Sequence, residues 1–342
     1  MKKKVSLKDI AQKLGVSTAL VSYVLNNQKE GRIGKEIAAK IRDTAASLNY
    51  RANLIARSLK TNRTNTIGLI VADISNPFFS SLASIIETEA EKRGYTVIFG
   101  SSHEDGSRFE KLVDTFLNRQ VDGLIIAPPA NSEKQIQEIL KQDTPLVLVD
   151  RYHPSLNTSF VTLNNFQASA DAVSHLVKSG RKRIGMITYE TTLFHITDRK
   201  SGFLETLKKN GLPADETLVK EIAMDNRRED VEKAVEELLR GDSPVDALLF
   251  ATNRISDCAV KYINSLGIKV PESLALVGFD EAESLDLFHA PLTYIRQPLQ
   301  KMGDMVTGML VDQMNGTSTI SQKVLHGELI VRKSTGSPDT VN

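Results

Sequence analysis

Polar side chains recur in this 342-residue chain directly after short apolar segments. The sets lie at residues 73–79, 150–151, 164–166, 251–254 and 279–281. Each set places hydrogen-bonding side chains beside an aromatic or charged group. Planar hydrogen-bonding groups suit sugar hydroxyls, and an aromatic ring gives a face on which a sugar can stack. One such residue alone is more typical of a loop or a helix cap, so the prediction of a binding site depends on their recurrence.

Groups for catalysis are not arranged in any familiar motif. The sequence contains no G-x-S-x-G, phosphate-binding loop, G-x-G-x-x-G or His/Cys metal-ligand spacing. Its six histidines are scattered. His195 lies near the expected site, although a solvated loop histidine is the default interpretation. We therefore expect a protein that is not an enzyme and needs no cofactor or metal. A carbohydrate-processing enzyme or kinase stays as an alternative, which a turnover assay would separate.

The elements that must position these polar sets alternate along the chain from residue 66 onward. Strands are predicted at 67–72, 96–100, 123–127, 146–150, 160–163, 183–187, 247–251 and 274–279. Helices are predicted at 80–93, 107–119, 132–141, 166–179, 199–210, 228–240 and 255–266. Short apolar strands that alternate with helices indicate parallel sheets in an α/β fold, and their number suits two lobes. Ligands bind beyond the carboxyl ends of such strands, which is where the polar sets lie.

The charge is distributed unevenly along the chain. Residues 1–60 hold 13 Lys and Arg against 4 Asp and Glu, a net charge of +9, whereas the remaining 282 residues carry −8. A basic segment on an acidic body is typical of a nucleic-acid-binding module. A solvated basic arm is the alternative, but such an arm would lack the apolar periodicity that this segment has.

That periodicity predicts a helix-turn-helix. Ser6 and Asp9 can cap a first helix, Gly15 can end it, and Ser17 can cap a second. Inward apolar positions in the three predicted helices are Leu7, Ile10, Ala11, Leu14, Leu20, Val21, Val24, Leu25, Ile37, Ala38, Ile41, Ala45 and Leu48. Two short helices joined by a tight turn place the second helix in the DNA major groove. Similar helix pairs occur in proteins that never contact DNA, and the basic charge favours DNA binding here.

The cellular compartment is predicted from what the sequence lacks. Its single cysteine, Cys258, cannot form an internal disulfide, and the start does not have the pattern of a secretory signal. No apolar run is long enough to span a membrane. We expect a cytoplasmic protein without a membrane partner. A periplasmic sugar-binding protein without gene control is the alternative, and the basic N-terminal segment argues against it.

Several ordered motifs resemble one family. LKDIAQKLGVSTALVSYVLNN, ANLIARSLKTNRTNTIGLIV, DISNPFF, QVDGLIIAP, KRIGMI, DRKSGF and VPESLALVGFDE resemble the lactose-repressor (LacI/GalR) family of bacterial transcription regulators. The resemblance runs along essentially the whole chain. It implies an all-α helix-turn-helix headpiece followed by an α/β periplasmic-binding-protein-like sensor of two doubly wound parallel-sheet lobes. The headpiece would span 1–60, with a hinge helix at 53–60. The sensor would span 61–342, with lobes at 66–163 plus 296–325 and at 164–294 plus 326–342.

The resemblance also implies which residues contact DNA. Thr18, Ala19 and Tyr23 would read base edges, whereas Ser17 and Ser22 would contact phosphates. In the hinge, Leu59 would wedge open a base step in the minor groove, with Asn53, Arg57 and Lys60 near the backbone or groove floor. Ordinary buried linker contacts are the alternative for Leu59. Ala52 stands where the family often has a proline, which makes this hinge less preorganised.

The resemblance implies that a cleft between the lobes binds a small effector, which is expected to be a sugar or sugar derivative. The strand-end sets and the resemblance together give ten residues: Asp73, Asn76, Phe78, Phe79, Arg151, Asn165, Arg199, Met224, Asn253 and Asp280. Arg254 is a departure, because the family usually has aspartate there. This arginine favours an anionic effector on one interpretation and forms a structural ion pair on the other.

The function that the resemblance implies is a repressor controlled by a sugar or sugar derivative. A single helix-turn-helix reads few base pairs, so we expect a homodimer on a pseudo-palindromic operator. Dimer contacts are expected near 80–95 and 282–300. The segment after residue 330 is polar and lacks an apolar heptad repeat, so no C-terminal tetramer is expected.

Overall fold

The computed structural model describes residues 5–26, 32–50, 63–224, 228–240 and 243–336. The chain divides into two compact units, Met1–Thr64 and Asn65–Asn342. The sequence places this boundary four residues earlier, after residue 60. The predicted hinge helix at 53–60 lies outside the described residues.

The described helices and strands follow one another in the order that the alternating pattern predicts. The helices are α1 (Leu7–Leu14), α2 (Thr18–Leu25), α3 (Lys35–Ser47), α4 (Pro77–Lys92), α5 (Gly106–Asn118), α6 (Glu133–Lys141), α7 (Asn165–Lys178), α8 (Phe194–Lys209), α9 (Arg228–Leu239), α10 (Asn253–Ser265) and α11 (Leu299–Met314). The strands are β1 (Thr66–Val71), β2 (Thr96–Ser101), β3 (Gly123–Ile126), β4 (Leu146–Val149), β5 (Ser159–Leu163), β6 (Ile184–Tyr189), β7 (Val219–Ile222), β8 (Ala247–Phe250), β9 (Ala275–Phe279), β10 (Thr293–Arg296), β11 (Gln322–Leu325) and β12 (Glu328–Ile330).

The first unit is built on α1, α2 and α3. Ser6 and Asp9 form the predicted capping box, and Gly15 ends α1 in the left-handed conformation with φ of 66°. The hydroxyl of Ser17 accepts a hydrogen bond from the N–H of Leu20 at 3.1 Å and so caps α2. The buried core consists of Ile10, Ala11, Val21, Val24, Ile41 and Ala45. Burying each of the larger side chains stabilises this small core by about 1.5–3 kcal/mol.

The second unit contains two lobes, each built on a six-stranded sheet. The first sheet has the order β11-β5-β4-β3-β1-β2, and all of its neighbours run parallel. The second has the order β12-β10-β9-β8-β6-β7, in which only β12 runs antiparallel to its neighbour. Strands β3, β4, β8 and β9 are buried along their whole length, as expected of parallel strands covered on both faces.

The chain crosses between the lobes three times within the described residues. The crossings follow β5, β10 and β11; β11 is an edge strand, and β5 and β10 are each next to the edge strand on the same side of their sheets. Strands β2 and β7 lie at the opposite ends. Arg296 ends β10 in the second sheet, whereas the sequence assigns residue 296 to the first lobe. We call the side with the crossings the hinge edge.

Candidate functional site

A cavity of about 50 Å³ lies between the two lobes, beyond the carboxyl ends of the strands. Its lining comprises Asp73, Asn76, Phe79, Glu104, Arg151, Tyr189, Leu193, His195, Ile196, Met224, Thr252 and Arg254. Five of the ten predicted effector residues are in this set: Asp73, Asn76, Phe79, Arg151 and Met224. The strand-end argument therefore leads to the cavity, because parallel sheets bring the carboxyl ends of their strands to one edge.

Arg151, which follows β4, holds the most buried charge on the wall of the cavity. Its Nη1 and Nη2 donate to the two carboxylate oxygens of Glu104, both at 2.8 Å. The guanidinium lies 5.5 Å from the ring centroid of Phe79. Its Nε lies 3.5 Å from Oδ2 of Asp150 without hydrogen-bond geometry, and this buried atom has no hydrogen-bond partner among the described residues.

Asp73, which follows β1, makes an ion pair across the cavity. Its Oδ1 accepts hydrogen bonds from the N–H and hydroxyl of Ser75 at 3.0 and 2.8 Å. Its Oδ2 accepts from Nη1 of Arg254 at 3.1 Å. Burial raises the pKa of Asp73, but the Ser75 hydrogen bonds and the Arg254 charge outweigh burial and lower the pKa. The carboxylate is thus ionised at neutral pH, and Arg254 has the structural ion pair that the sequence left as one of two interpretations.

Two amides form a second contact between the lobes. Nδ2 of Asn253 donates to Oδ1 of Asn76 at 2.7 Å, and Nδ2 of Asn76 donates to Oδ1 of Asn253 at 3.3 Å. The same Asn76 oxygen caps α4 by accepting from the N–H of Phe78. The Asn253 oxygen accepts from the N–H of Arg254 at 2.8 Å. Both amides are therefore oriented by backbone groups of their own lobe before they meet.

Arg199, a predicted effector contact, lies behind the cavity and does not line it. Only 2% of this residue is exposed. Its Nε donates to Oδ1 of Asn165 at 2.8 Å, its Nη1 donates to the carbonyl of Ala251 at 2.6 Å, and its guanidinium stacks on Phe279 at 4.0 Å. Asn165 is itself fixed, because its Nδ2 donates to the carbonyl of Leu163 at 3.0 Å. In this structure, Asn165 and Arg199 support the part of the cavity wall that belongs to the second lobe.

Asp280 and Phe78 line a different opening, a groove of about 610 Å³. Asp280 has a left-handed backbone with φ of 70°, and its Oδ1 accepts from Nε2 of Gln297 at 2.7 Å. Burial raises the pKa of Asp280, while the charge of Arg199 and the Gln297 hydrogen bond oppose that rise. Asp280 therefore tethers the β9 end to the crossing after β10. The ten predicted residues are divided among the cavity, the groove and the buried layer behind them.

His195 contradicts its default interpretation as a solvated loop histidine. It lies in α8 with 7% of its surface exposed, and its Nδ1 has no hydrogen-bond partner in the described part of the chain. Burial, followed by the charges of Arg151 and Arg199, lowers its pKa well below the usual value. The imidazole is consequently neutral at pH 7 and presents a polar wall without a positive charge.

Asp150 is a buried carboxyl that belongs to the strand-end set at 150–151 but is not among the ten predicted effector residues. Burial raises its pKa to about 6, although Arg151 and Arg199 lower it. Its backbone is left-handed, with φ of 65°. This conformation is uncommon outside glycine, asparagine and aspartate. Asp150 connects the two arginines electrostatically and is sensitive to pH close to neutrality.

Seven lining residues were not among the predicted effector contacts: Glu104, Tyr189, Leu193, His195, Ile196, Thr252 and Arg254. Glu104 follows the end of β2 by three residues and Tyr189 is the last residue of β6, so the strand-end rule would have found both. Leu193 and Ile196 are apolar and had no signal apart from their place at the start of α8. Together with Phe79 and Met224 they give the cavity an apolar wall beside its polar groups.

The start of α2 presents the predicted DNA-reading side chains. Ser17, Thr18 and Ala19 are exposed, whereas Ser22 and Tyr23 are half-buried. Asn26 donates through Nδ2 to the Ser22 carbonyl at 2.8 Å and to its hydroxyl at 3.3 Å. The hinge residues Asn53, Arg57, Leu59 and Lys60 lie outside the described residues. Across the described part of the chain, no helix is both long and apolar enough to cross a membrane.

Comparisons with known proteins match both units. The model described as "Bacterial regulatory proteins, lacI family" matches residues 6–53, and the one described as "Periplasmic binding protein-like domain" matches residues 173–335. The HTH-type transcriptional regulator DegA of Bacillus subtilis is 30% identical over 98% of this chain and 100% of its own length. The HTH-type transcriptional repressor CytR of Escherichia coli is 30% identical over 96% of each chain.

A solved structure agrees with the fold of the whole chain. The complex of the transcriptional regulator CelR with cellobiose matches with a TM-score of 0.73 and 25% identity, covering 97% of this chain and 100% of CelR. The predicted fold class, a helix-turn-helix followed by two parallel-rich α/β lobes, is confirmed. The chain therefore belongs to the lacI family of bacterial regulatory proteins and is a DNA-binding transcriptional regulator.

Proposed function

We propose that this regulator is a repressor whose DNA binding is controlled by a sugar or sugar derivative held between the two lobes. The observation that carries the proposal is the cavity at the strand ends, whose lining includes two buried polar atoms with no hydrogen-bond partner among the described residues. These atoms are Nε of Arg151 and Nδ1 of His195. A buried polar atom without a partner is unfavourable by about 1–3 kcal/mol, so a ligand that satisfies it gains binding energy.

The chemistry of the lining favours a hydroxyl-rich ligand. Nε of Arg151 can donate a hydrogen bond to a ligand, and the neutral imidazole of His195 can donate or accept one according to its tautomer. Phe79 and Met224 supply apolar surface next to these groups. The two arginines of the lining are each paired with a carboxylate, Glu104 or Asp73, so the wall carries no unpaired positive charge in this set. A neutral sugar suits that balance, and CelR is described in complex with a disaccharide.

The ten predicted effector residues have two roles in this proposal. Asp73, Asn76, Phe79, Arg151 and Met224 contact the effector, because they line the cavity. Asn253 acts through its amide pair with Asn76, while Asn165 and Arg199 support the wall of the second lobe. Asp280 and Phe78 act from the neighbouring groove, where Asp280 is tied to the crossing by Gln297.

The headpiece supports the DNA-binding half of the proposal. Thr18, Ala19 and Tyr23 read bases, and Ser17 and Ser22 contact phosphates, as the resemblance implies. The hinge residues Asn53, Arg57, Leu59 and Lys60 bind the minor groove on the same basis. One helix-turn-helix reads few base pairs, and we therefore propose a homodimer on a pseudo-palindromic operator in the cytoplasm. The name of CytR supports repression as the outcome.

Effector and DNA communicate through the arrangement of the lobes. A ligand shifts this arrangement only if its affinity differs between two arrangements, and typical coupling between sites is about 1–3 kcal/mol. The three crossings at the hinge edge permit the lobes to rotate about one side. We propose a binding role without catalysis for the cavity, and a turnover assay on the sugar that binds tests that part.

A thermal-shift screen tests the ligand. The full chain is melted with D-ribose, D-glucose, cellobiose, cytidine and glucose 6-phosphate. A compound that binds the folded protein raises the melting temperature according to its concentration relative to Kd. We expect a shift with at least one of the neutral sugars.

His195→Leu provides the matched test of the site. Leucine keeps a similar volume but has no polar atom, so we expect the sugar-dependent shift to disappear while the melting temperature without sugar is retained. Lys178→Ala, which removes an exposed side chain of α7 outside the cavity, is the control and should respond like wild type. An equal sugar-dependent shift in His195→Leu and wild type would show that the ligand binds elsewhere.

A further inference from the structure

Two adjacent pairs join the lobes at the cavity. Asp73 and Asn76 follow β1 in the first lobe, and Asn253 and Arg254 begin α10 in the second. The Asp73–Arg254 ion pair has a distance of 3.1 Å, and the shorter hydrogen bond of the amide pair is 2.7 Å. Neighbouring residues of one lobe thus bind neighbouring residues of the other. Separation of the lobes at this point breaks both contacts together.

These contacts lie away from the hinge edge. In the first sheet, β1 is separated from β5 by β4 and β3, and in the second β8 is separated from β10 by β9. The crossings follow β5, β10 and β11. Rotation about the hinge edge moves β1 and β8 apart by more than it moves the strands at the crossings. Contacts at this position therefore oppose opening effectively, even though each is weak.

The space that the contacts enclose is small. The cavity holds about 50 Å³. Sites for small organic ligands usually hold about 300–1,000 Å³. A sugar ring consequently fits only when the lobes separate or the lining side chains move. Asp73 and Arg254 both belong to the lining, so their ion pair obstructs the binding of a larger ligand in the cavity.

The ion pair between Asp73 and Arg254 can separate readily. When Arg254 leaves, Asp73 keeps its hydrogen bonds from the N–H and hydroxyl of Ser75. The Arg254 side chain is 57% exposed, so water can solvate the guanidinium as it leaves. Neither charge is left buried and unpaired by the opening. The amide pair by contrast involves Asn253, which is 2% exposed.

We propose that Arg254 is a specificity-determining residue whose ion pair with Asp73 latches the lobes and limits the size of ligand that the cleft admits. This inference rests on the proposed function for its ligand, but the latch itself is a property of the protein alone. Exposed ion pairs change an equilibrium by up to about fivefold. Loss of the latch should therefore increase the open population by up to about fivefold, and larger ligands should gain affinity more than small ones.

The latch is tested first without any added ligand. Spin labels on exposed positions 110 of α5 and 233 of α9, in a Cys258→Ser background, report the distance between the lobes at the ends of the sheets opposite the hinge edge. Double electron–electron resonance on the full chain should show more of the long distance in Arg254→Ala than in the parent. Arg254→Asp faces Asp73 with a like charge, and we expect a larger shift, about tenfold.

Salt and a second variant separate the latch from general loosening. Raising KCl from 50 mM to 1 M should open the parent toward the Arg254→Ala distribution and leave that variant unchanged, because salt screens an exposed ion pair. Arg240→Ala is the control, since it removes an ion pair with Glu236 inside the second lobe, at 2.9 Å, and should not change the distance. If Arg254→Ala and the parent give the same distribution at both salt concentrations, the latch is refuted.

A titration with D-ribose and cellobiose tests the size limit. Arg254→Ala should gain more affinity for the disaccharide than for the pentose. Equal gains, or none, would overturn the role of Arg254 in specificity. If neither sugar binds any variant but the distances change as expected, the latch stands and the proposed ligand class fails. If sugars bind and the distances do not change, the proposed function stands and the latch fails.

Discussion

The DNA-reading helix and the cleft between the lobes present their polar groups in opposite ways. On α2, Thr18 and Ala19 are exposed and positioned by a helix whose cap and core are complete. In the cleft, Arg151 and Asp73 are already engaged by protein groups. DNA binding can therefore add contacts to side chains that are already positioned. A ligand in the cleft must instead replace contacts that the protein makes with itself.

This difference has a consequence for stability. Substitutions on the exposed face of α2 change binding with little effect on folding, because surface changes usually stay within about 0.5 kcal/mol. Substitutions of the buried charged residues in the cleft change both ligand binding and stability, since these charges are balanced against one another. The regulator thus combines an exposed surface that reads DNA with a cleft in which a small ligand can alter the balance between buried charges.

Arg199→Met should have the largest effect. It removes the buried charge of Arg199, which interacts electrostatically with the buried carboxyls of Asp280 and Asp150, and loss of a compensating buried charge typically costs about 3–5 kcal/mol. The free energy of unfolding, measured by circular dichroism in urea, should fall by that amount. Thr18→Ala, on the exposed face of α2, is the matched change and should leave it within about 0.5 kcal/mol. If the two variants were equally stable, the difference that we infer between the cleft and the exposed face of α2 would be contradicted.

Asp150→Asn tests the pH sensitivity of the cleft. The pKa of Asp150 is about 6 in the folded protein against an ordinary value of 3.8, so between these pH values the folded state holds a proton that the unfolded state has lost. Ionisation of Asp150 therefore destabilises the protein as pH rises from 4 through 6, by up to about 3 kcal/mol. The asparagine variant should lack this loss.

The measurement for Asp150→Asn is urea unfolding at several pH values between 4.5 and 8. The curve of stability against pH should be flatter than that of wild type, with the largest relative gain above pH 6. Asp114→Asn, an exposed change on α5, serves as the control and should keep the wild-type curve. A variant curve parallel to that of wild type would mean that Asp150 does not titrate in this range.

Tyr23→Ala should have a selective effect on DNA binding. We expect a loss of about 1–3 kcal/mol in operator affinity, with relaxed preference at one base position per half-site. Binding to a panel of single-base operator variants, measured by fluorescence anisotropy at fixed salt, checks this. If the variant lost the same affinity for every sequence, Tyr23 would anchor the backbone and not read a base.

The sequence predicted the buried part of the fold well and its edges poorly. All eight predicted strands are present, because parallel strands covered on both faces are short apolar runs. Strands β7, β10, β11 and β12 were not predicted. Strands β7, β11 and β12 are edge strands, and one such as Gln322–Leu325 is largely exposed and carries no apolar run, while β10 (Thr293–Arg296) is buried but has only two apolar residues. Helix α11 was also missed. It contains Gly303, where an added Cβ would lie 2.4 Å from a side-chain atom of Ile85, so close approach of the helices requires glycine.

The sequence identified residues of the candidate site but not the role that each of them plays. Strand ends identified Asp73 and Arg151, because topology alone brings strand ends together. The partners of those residues depend on tertiary placement, and Asp73 and Arg254 are 181 residues apart. No local pattern distinguishes an arginine that contacts a ligand from one that, like Arg199, is fixed behind the wall. Side-chain burial and hydrogen bonding decide between the two roles.

Operator binding in the presence of a sugar tests the central claim most directly. The full-length wild type and His195→Leu are titrated onto a labelled operator duplex, with increasing amounts of the sugar that gives the largest melting shift. The account predicts that the sugar changes the operator affinity of wild type by about 5- to 150-fold, in line with ordinary allosteric coupling. His195→Leu should bind the operator as tightly as wild type without sugar and should not respond when sugar is added. A His195→Leu curve that shifts with sugar as the wild-type curve does would contradict control through this cleft.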